Sequence, residues 1–294
     1  MLENLSTEKR SNKTMHLDKM STKEILQIMN KEDSTVPAVI AKEIESIDQV
    51  IQNVIHSFKR GGRLIYIGAG TSGRLGILDA VECVPTFGVS TEMVQGFIAG
   101  GMKAFTVAVE GAEDDVELGR KDLQSISLTE KDTVIGIAAS GRTPYVIGAL
   151  QYAGEVGAKT AAVSCNKDAA ISKYADIAIE VETGPEVLTG STRLKAGTAQ
   201  KLVLNMISTA SMIGIGKIYE NLMVDVQATN QKLAERAKRI IMDATQVDYA
   251  MAEEYYENAQ YQVKTAIVMI LLKCSYNEAV KKLDSADGFI RKAI

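Results

Sequence analysis

The stretch Leu64-Ile-Tyr-Ile67, followed by Gly68-Ala-Gly-Thr-Ser-Gly-Arg74, decides the fold of this chain. A short apolar run that ends at a glycine-rich turn is typical of a strand buried in a parallel sheet. The amphipathic segment at residues 72–83 then has the length of a helix. Strand, turn and helix in this order predict the first unit of an α/β fold.

The same alternation continues along the chain. Short apolar runs recur at residues 92–94, 104–109, 133–138, 160–164 and 177–181. Helix-length amphipathic segments lie between them, at residues 114–125, 144–155 and 169–174. Strands that alternate with helices indicate a parallel sheet covered by helices on both faces.

The flanking segments are predicted to contain no strands. Residues 1–15 lack apolar periodicity, and we expect them to be disordered. Ser21-Thr-Lys-Glu24 has the spacing of a capping box, and isoleucines recur at helical spacing through residues 36–59. A long helix at residues 196–219 then precedes an all-helical tail at residues 224–294.

The composition excludes several classes of protein. Of the 294 residues, 46% are hydrophobic and 24% are charged, which suits a globular protein with a sizeable core. The net charge of −4 and the lack of a Lys/Arg block argue against nucleic-acid binding. The longest apolar run, residues 266–272, is too short to span a bilayer. Residues 1–16 lack the apolar run of a signal peptide, so we expect a cytoplasmic protein.

The cysteines and histidines argue against a metal site. Cys83, Cys165 and Cys274 are far apart, and no two of them have the spacing of zinc ligands or of a disulfide framework. His16 and His56 both precede the first strand, away from any strand-to-helix turn. Histidine-based catalysis is therefore disfavoured, and acid–base chemistry falls to carboxylates.

Two polar turns are candidates for binding a phosphate. The first is Gly68-Ala-Gly-Thr-Ser-Gly73, and the second is Ala139-Ser-Gly-Arg-Thr143. Each follows a predicted strand and opens a helix, where free backbone amides, hydroxyls and the positive end of the helix dipole favour an anion. Ligands bind at this edge of a parallel sheet.

Two alternatives remain for these turns. The first turn also matches the G-x-G-x-x-G pattern of dinucleotide-binding domains, which expects an acidic residue near the end of the next strand. Glu92 instead begins its predicted strand, and a dehydrogenase would leave the second turn unexplained. Both turns could also be tight connections without a ligand.

Glu82 is the most distinctive carboxylate. A helix from Ser72 places it on one stripe with Leu75 and Leu78. One interpretation is a half-buried acid, whose pKa is raised by desolvation as a general acid requires and could be raised further by Asp79. The alternative is a solvated glutamate in the last turn of the helix, before Pro85.

Two further polar segments allow more than one role. Glu113 lies in an acidic cluster at residues 110–115, where carboxylates commonly cap a helix. Thr189-Gly-Ser-Thr-Arg-Leu-Lys195 is a third polar turn before a helix, which could close over a sugar or only cap that helix.

Six blocks of this chain resemble N-acetylmuramic acid 6-phosphate etherases. The most specific is Ile65-Tyr-Ile-Gly-Ala-Gly-Thr-Ser-Gly-Arg-Leu-Gly-Ile-Leu-Asp-Ala-Val-Glu-Cys-Val-Pro-Thr-Phe-Gly88. The others are residues 18–26, 108–115, 136–146, 190–201 and 225–233. The resemblance therefore extends over nearly the whole chain beyond the first dozen residues.

The resemblance implies an α/β fold built on a sugar-isomerase (SIS) domain. That domain is expected at residues 51–217, after an N-terminal tail and helices at 1–50 and before a helical domain at 218–294. The implied activity is cleavage of the D-lactyl ether of a phosphorylated amino sugar, in the recycling of cell-wall sugars. A homodimer without metal or organic cofactor is expected.

The resemblance also implies roles for individual residues. Glu82 is expected to protonate the ether oxygen, and Glu113 to act as the base at C2 or to activate water. The residues expected to bind the substrate are Thr71, Ser72, Gly73, Ser140, Gly141, Arg142, Thr143, Ser191 and Lys195. Two hypotheses compete with the etherase: an aldose–ketose isomerase on the same fold, and a phosphosugar sensor without catalytic activity.

Overall fold

The computed structural model describes residues 5–107, 109–228 and 230–294. Its α/β part contains a five-stranded sheet in the order β2-β1-β3-β4-β5, in which all neighbouring strands are parallel. The strands are β1 (Leu64–Gly68), β2 (Val94–Ile98), β3 (Thr133–Ala138), β4 (Lys159–Ser164) and β5 (Ile177–Glu180). The predicted parallel sheet is confirmed.

Helices surround this sheet along the chain. They are α1 (Thr22–Asp33), α2 (Val36–Ile40), α3 (Ile44–Lys59), α4 (Gly70–Phe87), α5 (Lys103–Thr106), α6 (Val116–Ser125), α7 (Pro144–Val156) and α8 (Lys195–Gly214). The capping box predicted at Ser21 and Glu24 is confirmed at the start of α1, where side chain and backbone bond reciprocally. The helix predicted at residues 169–174 is a short 3-10 turn, Ile171–Tyr174.

The central strands are buried on both faces. Every residue of β1 and of β3 is buried, as expected for strands covered by helices on both sides of the sheet. Helix α4 approaches β1 so closely that a β-carbon on Gly76 would lie 2.8 Å from Tyr66 Cβ. Glycine is therefore required where α4 crosses β1.

The order of the strands places a crevice beside β1 and β3. β1 pairs with β2 on one side and with β3 on the other, so the chain reverses its direction of winding between β1 and β3. Loops that leave the carboxyl ends of two such strands diverge, and ligands bind in the gap between them. The two predicted phosphate turns follow these two strands.

One predicted strand is absent. Where the sequence predicted a strand at residues 104–109, the structure has the short helix α5, Lys103–Thr106. Ala108 lies outside the described residues. Gly100 and Gly101 have φ values of +87° and +69°, which turn the chain away at the end of β2. The Arg74 guanidinium then donates hydrogen bonds of 2.7 and 2.8 Å to the carbonyl oxygens of Ala104 and Phe105. These contacts favour a compact loop over a sixth strand.

The expected disorder of the N-terminal segment is wrong for its described part. Ser6–Glu8 and Asn12–Thr14 form 3-10 turns, and Thr7 is fully buried. Asn166 fixes this segment: its Oδ1 accepts from Ser6 Oγ at 3.0 Å, and its Nδ2 donates to Thr7 Oγ1 at 2.9 Å. Residues 1–4 lie outside the described residues. Long-range hydrogen bonds therefore fix the conformation of this segment, although it lacks apolar periodicity.

The chain divides into two compact units. The first comprises Met1–Ala80 and Glu92–Ser208, and the second comprises Val81–Thr91 and Thr209–Ile294. The second unit contains α9 (Gln231–Thr245), α10 (Tyr249–Asn258), α11 (Val263–Leu272), α12 (Tyr276–Ser285) and α13 (Ile290–Ala293), around a core of its own. Among the described residues, no helix is both long and apolar enough to cross a membrane. The domain bounds 1–50, 51–217 and 218–294 stay a prediction.

Candidate functional site

The first predicted phosphate turn forms the start of α4. This 18-residue helix begins at Gly70, two residues after β1 ends, and places Thr71 and Ser72 in its first turn. The first amide groups of a helix have no acceptor within it, and the helix dipole adds partial positive charge there. A β-carbon on Gly73 would lie 2.6 Å from Gly68 O, so Gly73 allows the helix to start this close to the strand.

The second turn follows β3 at the same edge of the sheet. Gly68 of β1 is paired with Ile137 of β3, so both strands end side by side and their turns are neighbours. Ser140 Oγ accepts a hydrogen bond of 3.3 Å from the Arg142 amide. Thr143 is the N-cap of α7 and makes no side-chain capping bond, which leaves its hydroxyl available.

The two arginines of these turns differ. The guanidinium of Arg74 donates to two carbonyl groups of the loop after β2, and it therefore stabilises that loop. The side chain of Arg142 is exposed, and no described residue forms an ion pair or hydrogen bond with its guanidinium. Of the two cations, Arg142 is the one free to reach an anion.

The third turn is largely occupied by groups of the protein. Glu186 is buried and accepts hydrogen bonds of 2.9 Å from the Lys195 and Ala196 amides, so it caps α8. The ammonium of Lys195 lies 2.9 Å from Glu32 Oε2. Ser191 is half-buried within the turn. Contact of Ser191 or Lys195 with substrate stays a prediction, and the Lys195 ammonium already has an acidic partner.

Glu113 lies in a cleft beside the first turn. A cavity of about 200 Å³ is lined by Gly70, Arg74, Glu110 and Glu113, among other residues. Asp115, not Glu113, caps α6: its carboxylate accepts from the Glu117 and Leu118 amides at 2.9 and 3.1 Å. The capping role that the acidic cluster allowed therefore belongs to Asp115. The exposed Glu113 carboxylate remains available for chemistry.

Glu82 is exposed in the single chain, so of the two alternatives the solvated glutamate is confirmed and the half-buried carboxylate is wrong. The stripe that it shares with Leu78 faces outward, and Leu78 is itself 47% exposed. Helix α4 buries its opposite face, because Gly73 and Gly76 allow that face to press against β1. Glu82 belongs to the second unit of the chain, whereas Glu113 and the polar turns belong to the first.

Asp79 is held by residues of β1 and α8. It is buried and accepts hydrogen bonds from Tyr66 at 2.9 Å, Asn205 at 2.6 Å and Ser208 at 3.1 Å. Burial raises the pKa of Asp79, although these three donors partly oppose that effect. Asp79 therefore joins α4 to β1 and α8, and its effect on Glu82 stays a prediction.

Two residues beside the polar turns were not predicted from the sequence. Gln200 of α8 accepts a hydrogen bond of 3.0 Å from Ser72 Oγ. Asn166, two residues after β4, donates to Ala139 O at 3.1 Å. Asn166 follows a strand at the binding edge of the sheet, which is a signal that the sequence offered. Gln200 lies within a helix, inside the block at residues 190–201 that resembles the etherases, but no spacing rule assigned it a role.

Comparison with known proteins identifies the class of this protein. Residues 46–154 match the family model of the glucokinase regulatory protein N-terminal SIS domain, and residues 105–210 match that of the SIS domain. The fold is similar to that of a phosphoheptose isomerase from Francisella tularensis, with a TM-score of 0.51 and 14% identity. That alignment covers 66% of this chain and 100% of the isomerase chain. The sheet and its polar turns are therefore those of a SIS domain.

The family is shown by relatives that match from end to end. The chain is 71% identical over 294 residues to an N-acetylmuramic acid 6-phosphate etherase of Geobacillus sp., with 100% of both sequences covered. An etherase of Bacillus cereus matches equally, at 71% identity with full coverage. The chain belongs to the N-acetylmuramic acid 6-phosphate etherase family. The resemblance is confirmed, and the dinucleotide-binding alternative is wrong.

Proposed function

We propose that this protein cleaves the D-lactyl ether at C3 of N-acetylmuramic acid 6-phosphate, giving N-acetylglucosamine 6-phosphate and D-lactate. The observation that carries the proposal is the 71% identity to etherases over the whole chain. The two polar turns at one edge of the sheet and the unoccupied carboxylate of Glu113 support it.

The phosphate is bound at the first two turns. The amides at the start of α4, with the hydroxyls of Thr71 and Ser72, form one side of this site. Ser140 and Thr143 form the other side, with Gly141 giving the turn its shape and Arg142 supplying a positive charge. Amide and hydroxyl groups together with one arginine can stabilise a phosphate dianion. The protein therefore needs no large basic patch, which agrees with its net charge of −4.

The reaction needs one group that accepts a proton and one that donates a proton. In the ring-opened sugar the C2 proton is acidic because it lies next to the aldehyde, and a carboxylate can remove it. The C3–O bond then breaks as an acid protonates the ether oxygen, which leaves a double bond between C2 and C3. Water adds to C3 and a proton returns to C2, so the overall reaction consumes one molecule of water.

Glu82 and Glu113 are assigned to these two tasks. Glu82 donates the proton to the departing lactate, and Glu113 removes the C2 proton or activates the water. Two carboxyl groups in opposite protonation states meet both needs. A sensor of phosphosugars would need neither group, which favours catalysis over that alternative.

The protein acts as a cytoplasmic homodimer without metal or organic cofactor. The dimer is supported by Leu78 and Val81, which are 47% and 60% exposed on the face of α4 that also carries Glu82. Apolar side chains grouped on an exposed face are typical of a surface that another protein covers.

One assay tests the proposal. The purified protein is incubated with N-acetylmuramic acid 6-phosphate, and D-lactate is measured. D-lactate release is expected, and in solvent deuterium oxide the product should carry deuterium at C2. Isomerisation of fructose 6-phosphate without lactate release would support the isomerase instead. Binding of phosphosugars without any turnover would support the sensor.

A further inference from the structure

Gln200 contacts the first turn through a hydrogen bond that the proposed mechanism does not use. Ser72 Oγ and Gln200 Oε1 lie 3.0 Å apart, and both residues are buried. A serine hydroxyl has one proton and an amide oxygen only accepts, so Ser72 donates its proton to Gln200. A phosphoryl oxygen is also an acceptor, and in this arrangement Ser72 has no proton left to donate to it.

The other half of the Gln200 amide has no partner. Gln200 is 1% exposed, and its Nε2 donates to no group in the part of the chain that the structure describes. Buried N–H groups without an acceptor are unfavourable and uncommon. An unused donor beside an anion-binding helix start indicates that a different arrangement holds when ligand is bound.

A half-turn of the amide about Cγ–Cδ gives Nε2 an acceptor and releases the Ser72 proton. Nε2 then donates to Ser72 Oγ, and the Ser72 proton becomes available to a phosphoryl oxygen. The two hydrogen bonds point in one direction, so each polarises the next. Ser140 needs no such change, because its hydroxyl accepts from the Arg142 amide and donates to no described residue.

We propose that Gln200 is a positioning residue that orients the Ser72 hydroxyl toward the substrate phosphate. The inference rests on the proposed phosphate-binding role of Ser72. When no phosphoryl acceptor is present, the amide oxygen keeps the Ser72 proton. Gln200 thereby contributes to the preference for phosphorylated over free sugar.

Two nearly isosteric substitutions separate this role from a structural one. Gln200→Glu provides only acceptors, so it retains the Ser72 proton and is expected to raise KM roughly 10- to 100-fold with kcat changed little. Gln200→Met neither accepts nor donates strongly, so Ser72 can donate to the phosphate and KM should rise only a few-fold. A structural role predicts the opposite order, because glutamate preserves the hydrogen bond to Ser72 and methionine removes it.

A second comparison removes the effect of charge. Gln200→Glu also places a carboxylate near the phosphate, and that repulsion persists when Ser72 is replaced by alanine. The KM ratio of Gln200→Glu to Gln200→Met should therefore fall in the Ser72→Ala background. An unchanged ratio, or a ratio of one or below in the native background, overturns the proposal. Gln124→Glu, an exposed position on α6, is the matched charge control.

Binding measurements keep this test independent of the proposed reaction. Affinity for N-acetylglucosamine 6-phosphate is measured calorimetrically on the same proteins, and the same rank order is expected. If a Gln200 variant does not fold, Ser72→Ala still tests the premise: it should weaken product binding roughly tenfold, and unchanged affinity overturns the proposal. Lack of D-lactate release by the native protein would contradict the proposed function, not this inference.

Discussion

The ammonium of Lys195 lies 2.9 Å from the carboxylate of Glu32, and the two side chains are only 3% and 7% exposed. Lys13 also donates to Glu32, at 2.6 Å. This cluster joins the N-terminal segment, α1 and the start of α8. Removing one partner of such a pair leaves the other charge buried without compensation.

We therefore expect Glu32→Gln to lower the free energy of unfolding by about 3 kcal/mol, measured by urea denaturation. The control is Glu155→Gln, which breaks the exposed pair with Arg120 on the surface of α7. That variant should leave stability almost unchanged. Equal effects of the two substitutions would contradict the importance of burial.

The pH dependence of stability should report on Asp132. Burial alone would raise the pKa of this carboxyl, but hydrogen bonds from the Arg63 guanidinium and the Thr129 amide hold it below its ordinary value. Because the folded pKa is lower than the unfolded value of about 3.9, its contribution is fully present above that value. The contribution is lost as pH falls through the folded pKa.

Denaturation by urea at a series of pH values checks this sign. The free energy of unfolding of the native protein should fall below about pH 4, and Asp132→Asn should show a shallower fall. Asp18→Asn, at an exposed position, should follow the native slope. If the free energy of unfolding of Asp132→Asn depended on pH as steeply as that of the native protein, Asp132 would contribute little to the pH dependence of stability.

Replacement of either glutamate that we propose to be catalytic should greatly reduce turnover without loss of binding. Glu82→Gln and Glu113→Gln are each expected to reduce D-lactate release by roughly 10²- to 10⁴-fold, because a positioned acid or base contributes about that much. Affinity for N-acetylglucosamine 6-phosphate should change only a few-fold. Glu117→Gln, also exposed and on α6, serves as control. Loss of product binding or of folding would indicate a structural role.

Gly141 should not tolerate a side chain. Its φ is +70°, and a β-carbon there would lie 2.5 Å from Ala169 Cβ. Gly61 has a similar φ of +75° but nothing within 4 Å of such a β-carbon. Gly61→Ala should cost about 1–2 kcal/mol of stability from the backbone alone, and Gly141→Ala clearly more. Unfolding measurements compare the two, and only Gly141→Ala should also raise KM.

The exposed face of α4 should hold the dimer together. Leu78→Asp and Val81→Asp place charges on this face and are expected to convert a dimer to a monomer in light scattering after size exclusion. Met251→Asp, at a position on α10 that is 44% exposed, should not change the mass. A native protein that is monomeric, or variants that remain dimeric, would contradict the proposed interface.

Local pattern predicted most of the α/β part. β3 has the bounds expected from its apolar run at residues 133–138, and α7 begins at Pro144 as its sequence indicates. The strand predicted at residues 104–109 is absent because the conformation of this segment depends on Arg74, thirty residues earlier, and on the edge position of β2. Apolar periodicity contains no information about either contact.

The candidate site was predicted in the same uneven way. The polar turns at Ser72 and Ser140 follow strands, so they were predicted from order along the chain. Gln200 was missed because its importance comes from a hydrogen bond to a residue 128 positions away. Glu82 was placed on the correct stripe of α4, but the sequence did not show that this stripe faces outward.

The sequence by itself determined the family, the alternation of strands and helices, and the presence of polar turns after β1 and β3. These properties follow from short-range rules and from a closely matching signature. Only the tertiary structure decided which polar groups were already occupied. Lys195 is paired with Glu32, Asp115 caps α6 in place of Glu113, and the Ser72 proton is held by Gln200. The physical reason is that a hydrogen bond depends on distance in space, and the fold brings together groups that are far apart in the chain.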